Sequence, residues 1–417
     1  MRVKFITLGC KVNQYETQGL SERFLSLGHQ VTDGKADLYV INTCTVTKRA
    51  DSKSKSAVLK ARGENPKAKI AVCGCLAQLN RDFIEKLGVD YIISQDEKHL
   101  LPEIVLGLDN CKKSKEESGN SNFFKISSFY NHRAFVKIQD GCNNFCSFCK
   151  IPYLRGPSRS KDRDKALLEI KEVSKNHREI VLCGINLSLY GKDLNPSQNL
   201  EDFVEEALRI DSLERLRLSS LEPFYINEKL FSFLNNPKFC PHLHFPFQNG
   251  DDRILKAMNK KESTSLYEDI VKKARKIKPD VAISCDIMVG FPDEDEKSFN
   301  NTLGFIKRIR PMRMHIFSFS PRENTKFEKF KLKNQKLAKE RSQKLQELAD
   351  DFSLEYRKMF ISKTLDMVVE EKDNGFLCGY TQNYIRVKIF EKVPLGNIVK
   401  VKIERVEKDN TFATLCG

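Results

Sequence analysis

Three cysteines lie close together in the segment GCNNFCSFC, where Cys142, Cys146 and Cys149 have the spacing CxxxCxxC. Cysteine thiolates bind zinc and iron–sulfur clusters. A closed structural zinc site needs four ligands, and no fourth ligand lies near these three in the sequence. A [4Fe–4S] cluster held by three cysteines instead leaves one iron open to a ligand from outside the protein. The spacing therefore favours a cluster with one open iron over structural zinc.

Three more cysteines follow predicted strands: Cys10 in TLGC, Cys44 in NTC and Cys75 in VCGC. They are 34 and 31 residues apart, and each interval is about one strand–helix–strand unit. In a parallel sheet the carboxyl ends of the strands share one edge, so these thiols converge although they are distant in sequence. One such cysteine would be an ordinary buried residue. Three strand ends in succession favour a second iron–sulfur cluster, and the third, VCGC, offers both Cys73 and Cys75.

The composition agrees with metal binding rather than with disulfide pairing. The chain has 417 residues, 13 cysteines, 71 basic and 56 acidic side chains, and a formal charge of +15. Its apolar runs are shorter than the ~20 residues of a membrane helix, and MRVKFITLGCK starts as a strand rather than as a signal peptide. These features predict a cytoplasmic protein without a membrane segment, in which thiols stay reduced.

The first predicted domain, residues 1–110, alternates between strand and helix patterns. Such alternation predicts an α/β fold with a doubly wound parallel sheet. A polar stretch, Lys112–Asn122, then predicts a linker. The predicted strands are Val3–Leu8, Leu38–Asn42, Lys69–Cys73 and Tyr91–Ser94, and the helices include Glu16–Leu27 and Ser54–Ala61.

A second predicted domain, residues 128–358, has six buried-strand patterns separated by helices. Six such units predict a partial (β/α)6 barrel, open where an eight-fold barrel closes. The CxxxCxxC loop follows the first strand, at the mouth where such barrels carry their active sites. The predicted strands are Phe135–Ile138, Ile180–Cys183, Arg215–Leu218, His242–Pro246, Ala282–Ile287 and His315–Phe319, and the helices are Asp162–Asn176, Leu200–Leu208, Ser263–Lys278 and Glu296–Arg308.

The third predicted domain, residues 359–417, follows a basic amphipathic helix at Asn334–Phe360. Short β segments predict a small antiparallel β-barrel. Its aromatic residues either fill the barrel or stack on the bases of a nucleic acid. The predicted strands are Leu365–Glu370, Gly375–Tyr380, Tyr384–Phe390, Ile398–Val406 and Thr411–Leu415, and the aromatic residues are Phe376, Tyr380, Tyr384 and Phe390.

The positive charge is concentrated in three windows, each with a net charge of +6. Lys48–Lys69 has 8 basic and 2 acidic residues, Arg253–Lys278 has 9 and 3, and Lys326–Lys344 has 8 and 2. Neutralising a phosphate releases counterions, so concentrated charge favours a nucleic-acid partner. Solvated helix faces remain the alternative for each window.

The loop CNNFCSFC, with Phe148 before its last cysteine, resembles the radical S-adenosylmethionine (SAM) superfamily. In that superfamily the amino and carboxylate groups of SAM chelate the open iron. Electron transfer from the cluster cleaves SAM to a 5′-deoxyadenosyl radical, which abstracts unactivated hydrogen atoms. The resemblance implies SAM as a cofactor and an external electron donor as a partner.

The whole chain resembles the methylthiotransferase family within that superfamily. The matching phrases are TLGCKVNQYET, NTCTVT, GCLAQ, CNNFCSFCKIPYLRG, RLSSLEP, HFPFQNGDDRILKAMNK and DIMVGFP. The C-terminal barrel resembles a TRAM domain, a module that binds RNA. GCKVNQYET resembles the branch that modifies N6-threonylcarbamoyladenosine at position 37 of tRNA, beside the anticodon. Sister branches act on isopentenyladenosine in tRNA or on an aspartate of a ribosomal protein, and both remain alternatives.

By this resemblance, Cys10, Cys44 and Cys75 bind an auxiliary cluster that carries the sulfur to be installed, and a sulfur source restores it. Cys73 is then a spare or buried thiol. The radical formed at the other cluster abstracts hydrogen from C2 of the adenine, and a methylthio group joins that carbon. The resemblance therefore implies two [4Fe–4S] clusters that face one cavity. The base of a tRNA anticodon stem-loop would be turned out of its stack between them.

The resemblance also places SAM at the ends of the barrel strands. The turn after the second strand would meet its amino-acid end, and residues after the fourth strand and on the fifth would line its ribose and adenine. Glu222 follows a strand end too, but a surface carboxylate before Pro223 is the alternative, so it is not included in the predicted set. The predicted SAM-binding residues are Phe148, Gly184, Asn186, Gln248, Asp286 and Gly290.

A hypothesis of another class is a non-catalytic RNA-binding protein whose clusters are structural or sense redox state. It predicts iron without SAM cleavage. The enzyme hypothesis predicts about eight irons per chain and 5′-deoxyadenosine after reduction.

Overall fold

The computed structural model describes residues 1–45, 47–108, 123–331 and 335–416. These residues form an N-terminal parallel sheet, a central partial barrel and a closed C-terminal β-barrel. The α/β fold class predicted from the sequence is confirmed. The predicted linker, Lys112–Asn122, lies outside the described residues.

Five parallel strands form the N-terminal sheet: β1 (Arg2–Thr7), β2 (Gln30–Val31), β3 (Leu38–Thr43), β4 (Lys69–Gly74) and β5 (Tyr91–Ile92). Their order is β2-β1-β3-β4-β5, so β1, β3 and β4 are direct neighbours. All six residues of β3 are buried, as its apolar run predicts for an internal parallel strand. The two-residue β2 has no periodic pattern, and the sequence analysis missed it. The helices are α1 (Lys11–Ser26), α2 (Lys48–Glu64), α3 (Cys75–Leu79), α4 (Arg81–Glu85) and α5 (Leu101–Leu106).

Six parallel strands form the partial barrel in two three-stranded sheets. They are β6 (Arg133–Lys137), β9 (Glu179–Cys183) and β10 (Arg215–Leu218), then β11 (His242–Gln248), β12 (Ala282–Val289) and β13 (Arg313–Ser318), while β7 (Gln139–Asp140) and β8 (Arg159–Ser160) form a separate antiparallel pair. Isolated parallel bridges, Leu216–Phe239 and Ser220–His244, join the two sheets. Among the described residues β6 and β13 do not pair, so the barrel stays open between them.

Helices cover the outside of the barrel, and polar side chains fix where four of them begin. Asp162, Asn199, Ser263 and Asp295 each accept a hydrogen bond from a backbone amide in the first turn. The apolar faces of these helices share one core with the strands. The helices are α6 (Ile151–Arg155), α7 (Arg163–Val173), α8 (Leu200–Leu208), α9 (Lys229–Ser232), α10 (Asp252–Ala257), α11 (Thr264–Ile277), α12 (Glu296–Ile309) and α13 (Gln335–Lys358).

Five C-terminal strands form a closed barrel of order β14-β15-β16-β18-β17. They are β14 (Thr364–Asp373), β15 (Phe376–Thr381), β16 (Arg386–Ile389), β17 (Ile398–Val406) and β18 (Thr411–Leu415). This barrel packs against the amino ends of the partial-barrel strands. Arg217 of β10 donates to the Thr381 carbonyl (3.2 Å), and Arg133 of β6 pairs with Glu370.

Candidate functional site

The CxxxCxxC loop has an internal hydrogen bond and is held against the end of α10 by two more from Ser147. The Cys149 amide donates to the Cys146 carbonyl (2.9 Å) inside the loop. The Ser147 amide donates to the Met258 carbonyl, and its hydroxyl donates to the Ala257 carbonyl, both at 2.9 Å. These contacts fix the loop at the mouth of the partial barrel, where the sequence predicted it.

The three loop thiols have environments that suit metal binding. Burial raises the pKa of Cys149 to about 11 and raises those of Cys142 and Cys146 as well. The ammonium group of Lys260 opposes this rise in pKa at all three thiols, but burial outweighs it. Free thiols here stay protonated near neutral pH, whereas a metal replaces their protons and forms thiolates.

Lys260 is a residue of this site that the sequence analysis quoted without a role. Its side chain is 2% exposed, pairs with Glu222 and lies 3.6 Å from Glu262. The sequence left Glu222 open between a strand-end site residue and a surface carboxylate. The chain after β10 turns it toward Lys260 and leaves its side chain 11% exposed, which favours the first. Burial and the neighbouring Glu262 raise the pKa of Glu222 to about 8.

Two predicted SAM-binding residues, Gly184 and Asn186, lie beside Cys142. The Asn186 side-chain nitrogen approaches the Cys142 sulfur at 3.8 Å, and its backbone amide donates to Gln139 Oε1 (2.8 Å). A Cβ at Gly184 would lie 2.8 Å from the same oxygen, so the turn requires glycine. Asn186 Oδ1 is buried and has no hydrogen-bond partner among the described residues. It is therefore an acceptor available to a ligand.

Gln248 and Asp286 lie on the neighbouring strands β11 and β12. Gln248 has a left-handed backbone (φ 68°), and its Oε1 is buried without a hydrogen-bond partner in the described part of the chain. Asp286 lies between two histidines that the sequence analysis did not single out: His244 Nε2 at 3.3 Å and His315 Nδ1 at 3.0 Å. Gln248 thus offers a free acceptor, whereas both oxygens of Asp286 already have partners.

The other two predicted SAM-binding residues lie in the wall of the barrel. Phe148 packs against the apolar cluster at the ends of β12 and β13 and meets Phe291 edge-to-face, with ring centroids 6.4 Å apart. The Gly290 amide donates to Glu294 Oε1 (3.2 Å), and a Cβ at Gly290 would lie 2.9 Å from the Cβ of Ala338 in α13. Both residues line a cleft of about 560 Å³. The contacts described for Phe148 and Gly290 are therefore packing contacts within the protein.

The strand-end cysteines, Cys10, Cys44 and Cys75, lie at one edge of the N-terminal sheet, because β1, β3 and β4 are neighbours. A Cβ at Gly9 would lie 3.0 Å from the Cys44 sulfur, so the backbone just before Cys10 contacts Cys44. The Asn13 side chain donates to one carbonyl just after β1 (2.7 Å) and to another at the end of β3 (3.0 Å). The convergence expected from the spacing is therefore present.

Cys73 and Cys75 have different surroundings although one residue separates them. Cys73 is wholly buried within β4, and burial raises its pKa to about 11. Cys75 begins α3, where Gln95 Nε2 approaches its sulfur at 3.5 Å. Cys73 belongs to the apolar core, and Cys75 belongs to the edge of the sheet.

The two cysteine sets adjoin through the residues that follow them. Lys150, next to Cys149, donates to Oγ1 of Thr45, next to Cys44, at 2.8 Å. Arg322, in the loop after β13, donates to the same oxygen at 2.9 Å. Burial and the charge of Arg322 lower the pKa of Lys150 to about 8. The edge of the sheet and the mouth of the barrel therefore meet at this contact.

A buried ionic network behind this contact joins α1 to the barrel. Glu16 accepts from Lys98 (2.7 Å), Lys137 (2.9 Å) and Arg155 (2.9 Å). Asp140 accepts from Lys137 and Arg155, each at 3.0 Å. Burial opposes ionisation of Glu16, but the three cations hold its pKa well below the ordinary value. The network fixes the first helix, and the strand-end cysteine before it, against the cysteine loop.

The residues present fit the cofactors that the sequence predicts. Three thiols of the loop face Lys260, whose charge compensates a thiolate-bound cluster. The unpartnered oxygens of Asn186 and Gln248 can accept hydrogen bonds from a ligand beside that loop. The second set, Cys10, Cys44 and Cys75, lies in the N-terminal domain, where Thr45 next to Cys44 accepts the hydrogen bond from Lys150 of the barrel domain.

Comparisons with known proteins agree with this division of the chain. Residues 2–94 match the family described as Uncharacterized protein family UPF0004, and residues 136–306 match the Radical SAM superfamily. Threonylcarbamoyladenosine tRNA methylthiotransferase MtaB of Bacillus subtilis (strain 168) is 35% identical, over 96% of this chain and 93% of the relative. The protein of the same name from Aquifex aeolicus (strain VF5) is 36% identical, over 97% of this chain and 100% of the relative.

A relative with another substrate name and one solved structure complete the comparison. The tRNA-2-methylthio-N(6)-dimethylallyladenosine synthase of Fervidobacterium nodosum (strain ATCC 35602 / DSM 5306 / Rt17-B1) is 32% identical over 97% of each chain. The radical SAM methyltransferase TsrM from Kitasatospora setae superposes with a TM-score of 0.55, covering 76% of this chain and 74% of TsrM. At 12% identity, TsrM supports the fold alone.

The partial barrel, its cysteine loop and the superfamily match define a radical SAM enzyme, which uses a [4Fe–4S] cluster and SAM. The similarity to two relatives over nearly the whole chain identifies the family within this class of enzymes. This chain belongs to the methylthiotransferase family. In the described ranges, no helix combines the length and apolar character needed to cross a bilayer.

Proposed function

We propose that this enzyme adds a methylthio group to C2 of N6-threonylcarbamoyladenosine at position 37 of tRNA. The observation that carries the proposal is its 35–36% identity to threonylcarbamoyladenosine tRNA methylthiotransferases over almost the whole chain. Identity to three dimethylallyladenosine synthases is 31–34%, which keeps isopentenyladenosine as the alternative nucleoside.

In this proposal the two cysteine sets hold two clusters. The ligands are Cys142, Cys146 and Cys149 for the SAM-binding [4Fe–4S] cluster, and Cys10, Cys44 and Cys75 for an auxiliary [4Fe–4S] cluster. When bound, these groups and SAM supply a radical that removes the C2 hydrogen and the sulfur that takes its place. The Lys150–Thr45 contact between the two sets supports the proposal, since both sets must act on one carbon.

The side chains of the barrel mouth position SAM and exclude water. Asn186 and Gln248 offer buried amide oxygens that would accept hydrogen bonds from SAM, and Gly184 leaves room for the Gln139 side chain that holds the Asn186 amide. Asp286 and Gly290 belong to the same proposed site, with Phe148 packing the loop in place. Lys260, held by Glu222 and Glu262, places a buried cation beside the cysteine loop.

The partners follow from the chemistry. The adenine must leave its stack to reach both clusters, which calls for an anticodon stem-loop bound across the domains. An external electron donor must reduce the SAM-binding cluster, and a sulfur source must restore the auxiliary one. A cleft of about 630 Å³ between Lys48 and the loop at Arg322 opens beside the strand-end cysteines and gives such a source access.

Nucleoside mass spectrometry of tRNA tests the proposed substrate. The gene is expressed in a bacterium that lacks its own threonylcarbamoyladenosine methylthiotransferase, beside a C142A variant as control. The methylthio form of threonylcarbamoyladenosine should appear with the native chain and be absent with the variant. Accumulation of methylthio-isopentenyladenosine instead, in a host lacking that enzyme too, would exclude the proposed substrate. Iron without SAM cleavage in the purified protein would support a non-catalytic protein.

A further inference from the structure

The part of the partial barrel near the amino ends of its strands holds more positively than negatively charged side chains. Five cations surround its centre together with two carboxylates: Lys11, Arg133, Arg215, Arg217 and Arg313, with Glu179 and Glu370. Glu179 pairs with Arg217 at 2.7 Å and also lies near the arginines at the starts of β6 and β10. Lys11 and Arg313 have no carboxylate partner among the described residues.

Tyr384, in the turn after β15 of the C-terminal barrel, lies at the centre of these cations. Its ring stacks on His242 at 4.4 Å between centroids, and it lies 4.9 Å from the Arg217 guanidinium and 5.6 Å from that of Arg313. Burial would raise the pKa of Tyr384, but the cations, led by Arg133, bring it below the ordinary value. The site therefore has a positive potential.

Two buried polar atoms in this site have no hydrogen-bond partner in the described ranges: Nη1 of Arg217 and Nδ1 of His242. Arg217 is 2% exposed and His242 is 4% exposed. Buried polar groups are nearly always hydrogen-bonded, and an unpaired one is costly. The unpaired atoms are consistent with a polar ligand that completes the site.

Two of the five cations, Lys11 and Arg313, are accessible to solvent. Lys11 is half-buried, and Arg313 is exposed at the start of β13, beside the gap between β6 and β13. Lys11 directly follows Cys10, which the proposed function assigns to the auxiliary cluster. A group bound between Lys11 and Arg313 therefore lies next to the proposed source of sulfur.

We infer that Lys11 and Arg313 bind the carboxylate of the threonyl group on the target adenine. This inference rests on the proposed function and names the residues that select its substrate. The threonylcarbamoyl group is anionic, whereas the isopentenyl group is apolar. Two cations without a carboxylate partner attract the threonylcarbamoyl group. An isopentenyl group would remove water from them without replacing its hydrogen bonds, which is unfavourable. Only N1 separates C2 from C6, whose nitrogen bears the substituent, so the carboxylate site and the sulfur source must be close.

The test compares two synthetic anticodon stem-loops with the reconstituted two-cluster enzyme under reducing, anaerobic conditions. One carries N6-threonylcarbamoyladenosine, and the other carries its neutral analogue with threoninamide in place of threonine. The native enzyme should favour the acid by about tenfold or more in kcat/KM, because a hydrogen bond to a charged group is worth at least that factor. R313Q should lose most of this preference, and R313K should keep most of it.

Controls separate a carboxylate contact from other causes. K11Q should lose the preference as well, and its iron content shows whether the neighbouring Cys10 site is intact. R308Q removes an arginine of α12 that pairs with Glu268 on the outer surface, and it should keep the native preference.

Three outcomes distinguish the inference from its alternatives. Equal rates for acid and amide with the native enzyme would overturn it. An equal loss on both stem-loops in R313Q would also overturn it and assign Arg313 to an RNA phosphate. Product from an isopentenyladenosine stem-loop, with none from the acid, would refute the proposed function itself.

Discussion

At the scale of single residues, the environment of each cysteine determines what its replacement should do. C44A removes one proposed ligand at the edge of the sheet but leaves the loop of Cys142, Cys146 and Cys149 unchanged. We expect iron content to fall from about eight to about four per chain. SAM cleavage to 5′-deoxyadenosine should persist, and methylthio product should vanish. Iron analysis and product chromatography on the reconstituted protein measure all three.

Cys73 provides the matched control for that prediction. It lies on the neighbouring strand but is buried among apolar residues of β4 rather than at the sheet edge. C73A should therefore retain about eight irons and form product, with a modest loss of stability from the small cavity. Full iron content in C44A, or loss of half the iron in C73A, would contradict the proposed ligand set.

At the scale of elements, α1 connects the two halves of the site. Its first two turns carry Asn13 and Glu16, which bind strand ends on one side and barrel cations on the other. Tyr15 donates to Glu169 of α7 (2.8 Å). Most of the phrase GCKVNQYET therefore serves the contact between the domains, rather than the choice of nucleoside.

Replacing Glu16 by Gln tests how much this contact contributes to stability. The variant leaves Lys98, Lys137 and Arg155 with reduced compensation in a buried space, a change that typically costs about 3–5 kcal/mol. The midpoint of thermal unfolding, followed by circular dichroism, should fall by roughly 5–10 °C. E85Q, which removes an exposed i, i+4 pair with Arg81, should change it by less than about 2 °C. Similar shifts in the two variants would contradict the role of the network.

The same helix shows why some boundaries could not be predicted from the sequence. The analysis placed its start at Glu16, whereas α1 begins at Lys11. An amphipathic pattern requires one exposed face, but nine of its sixteen residues are buried and several of these are polar, including Asn13 and Glu16. Their burial depends on barrel residues more than a hundred positions away, which local periodicity does not report.

In the candidate site, too, some residues were predictable from the sequence and others depend on long-range contacts. The six cysteines were found from spacing, because a loop motif and the regular repeat of strand units both appear in the sequence. Glu222 stayed undecided between the site and the surface because its partner, Lys260, is 38 residues away. The histidines around Asp286 come from β11 and β13, so their convergence depends on strand order rather than on spacing.

At the scale of the whole molecule, the three basic windows differ in what their charges contact. Lys260 in the second window and Arg341 in the third are buried and paired with glutamates, so they are unavailable to phosphates. In the first window, Lys53, Lys55 and Lys60 are exposed on α2. This helix begins three residues after the Cys44–Thr45 edge, so its exposed lysines lie along a helix that starts at the proposed cavity.

We therefore expect α2 to contribute phosphate contacts when the anticodon stem-loop binds. Replacing Lys53, Lys55 and Lys60 together by Gln should weaken binding and make the slope of log Kd against log salt shallower by about 2–3, since each lost contact removes about one unit. Fluorescence anisotropy at several salt concentrations measures the slope. The charge-matched control replaces Lys165, Lys171 and Lys175, exposed on and just after α7 of the partial barrel. If both triple variants change the slope equally, the binding reflects overall charge, and the tRNA does not follow α2 into the site.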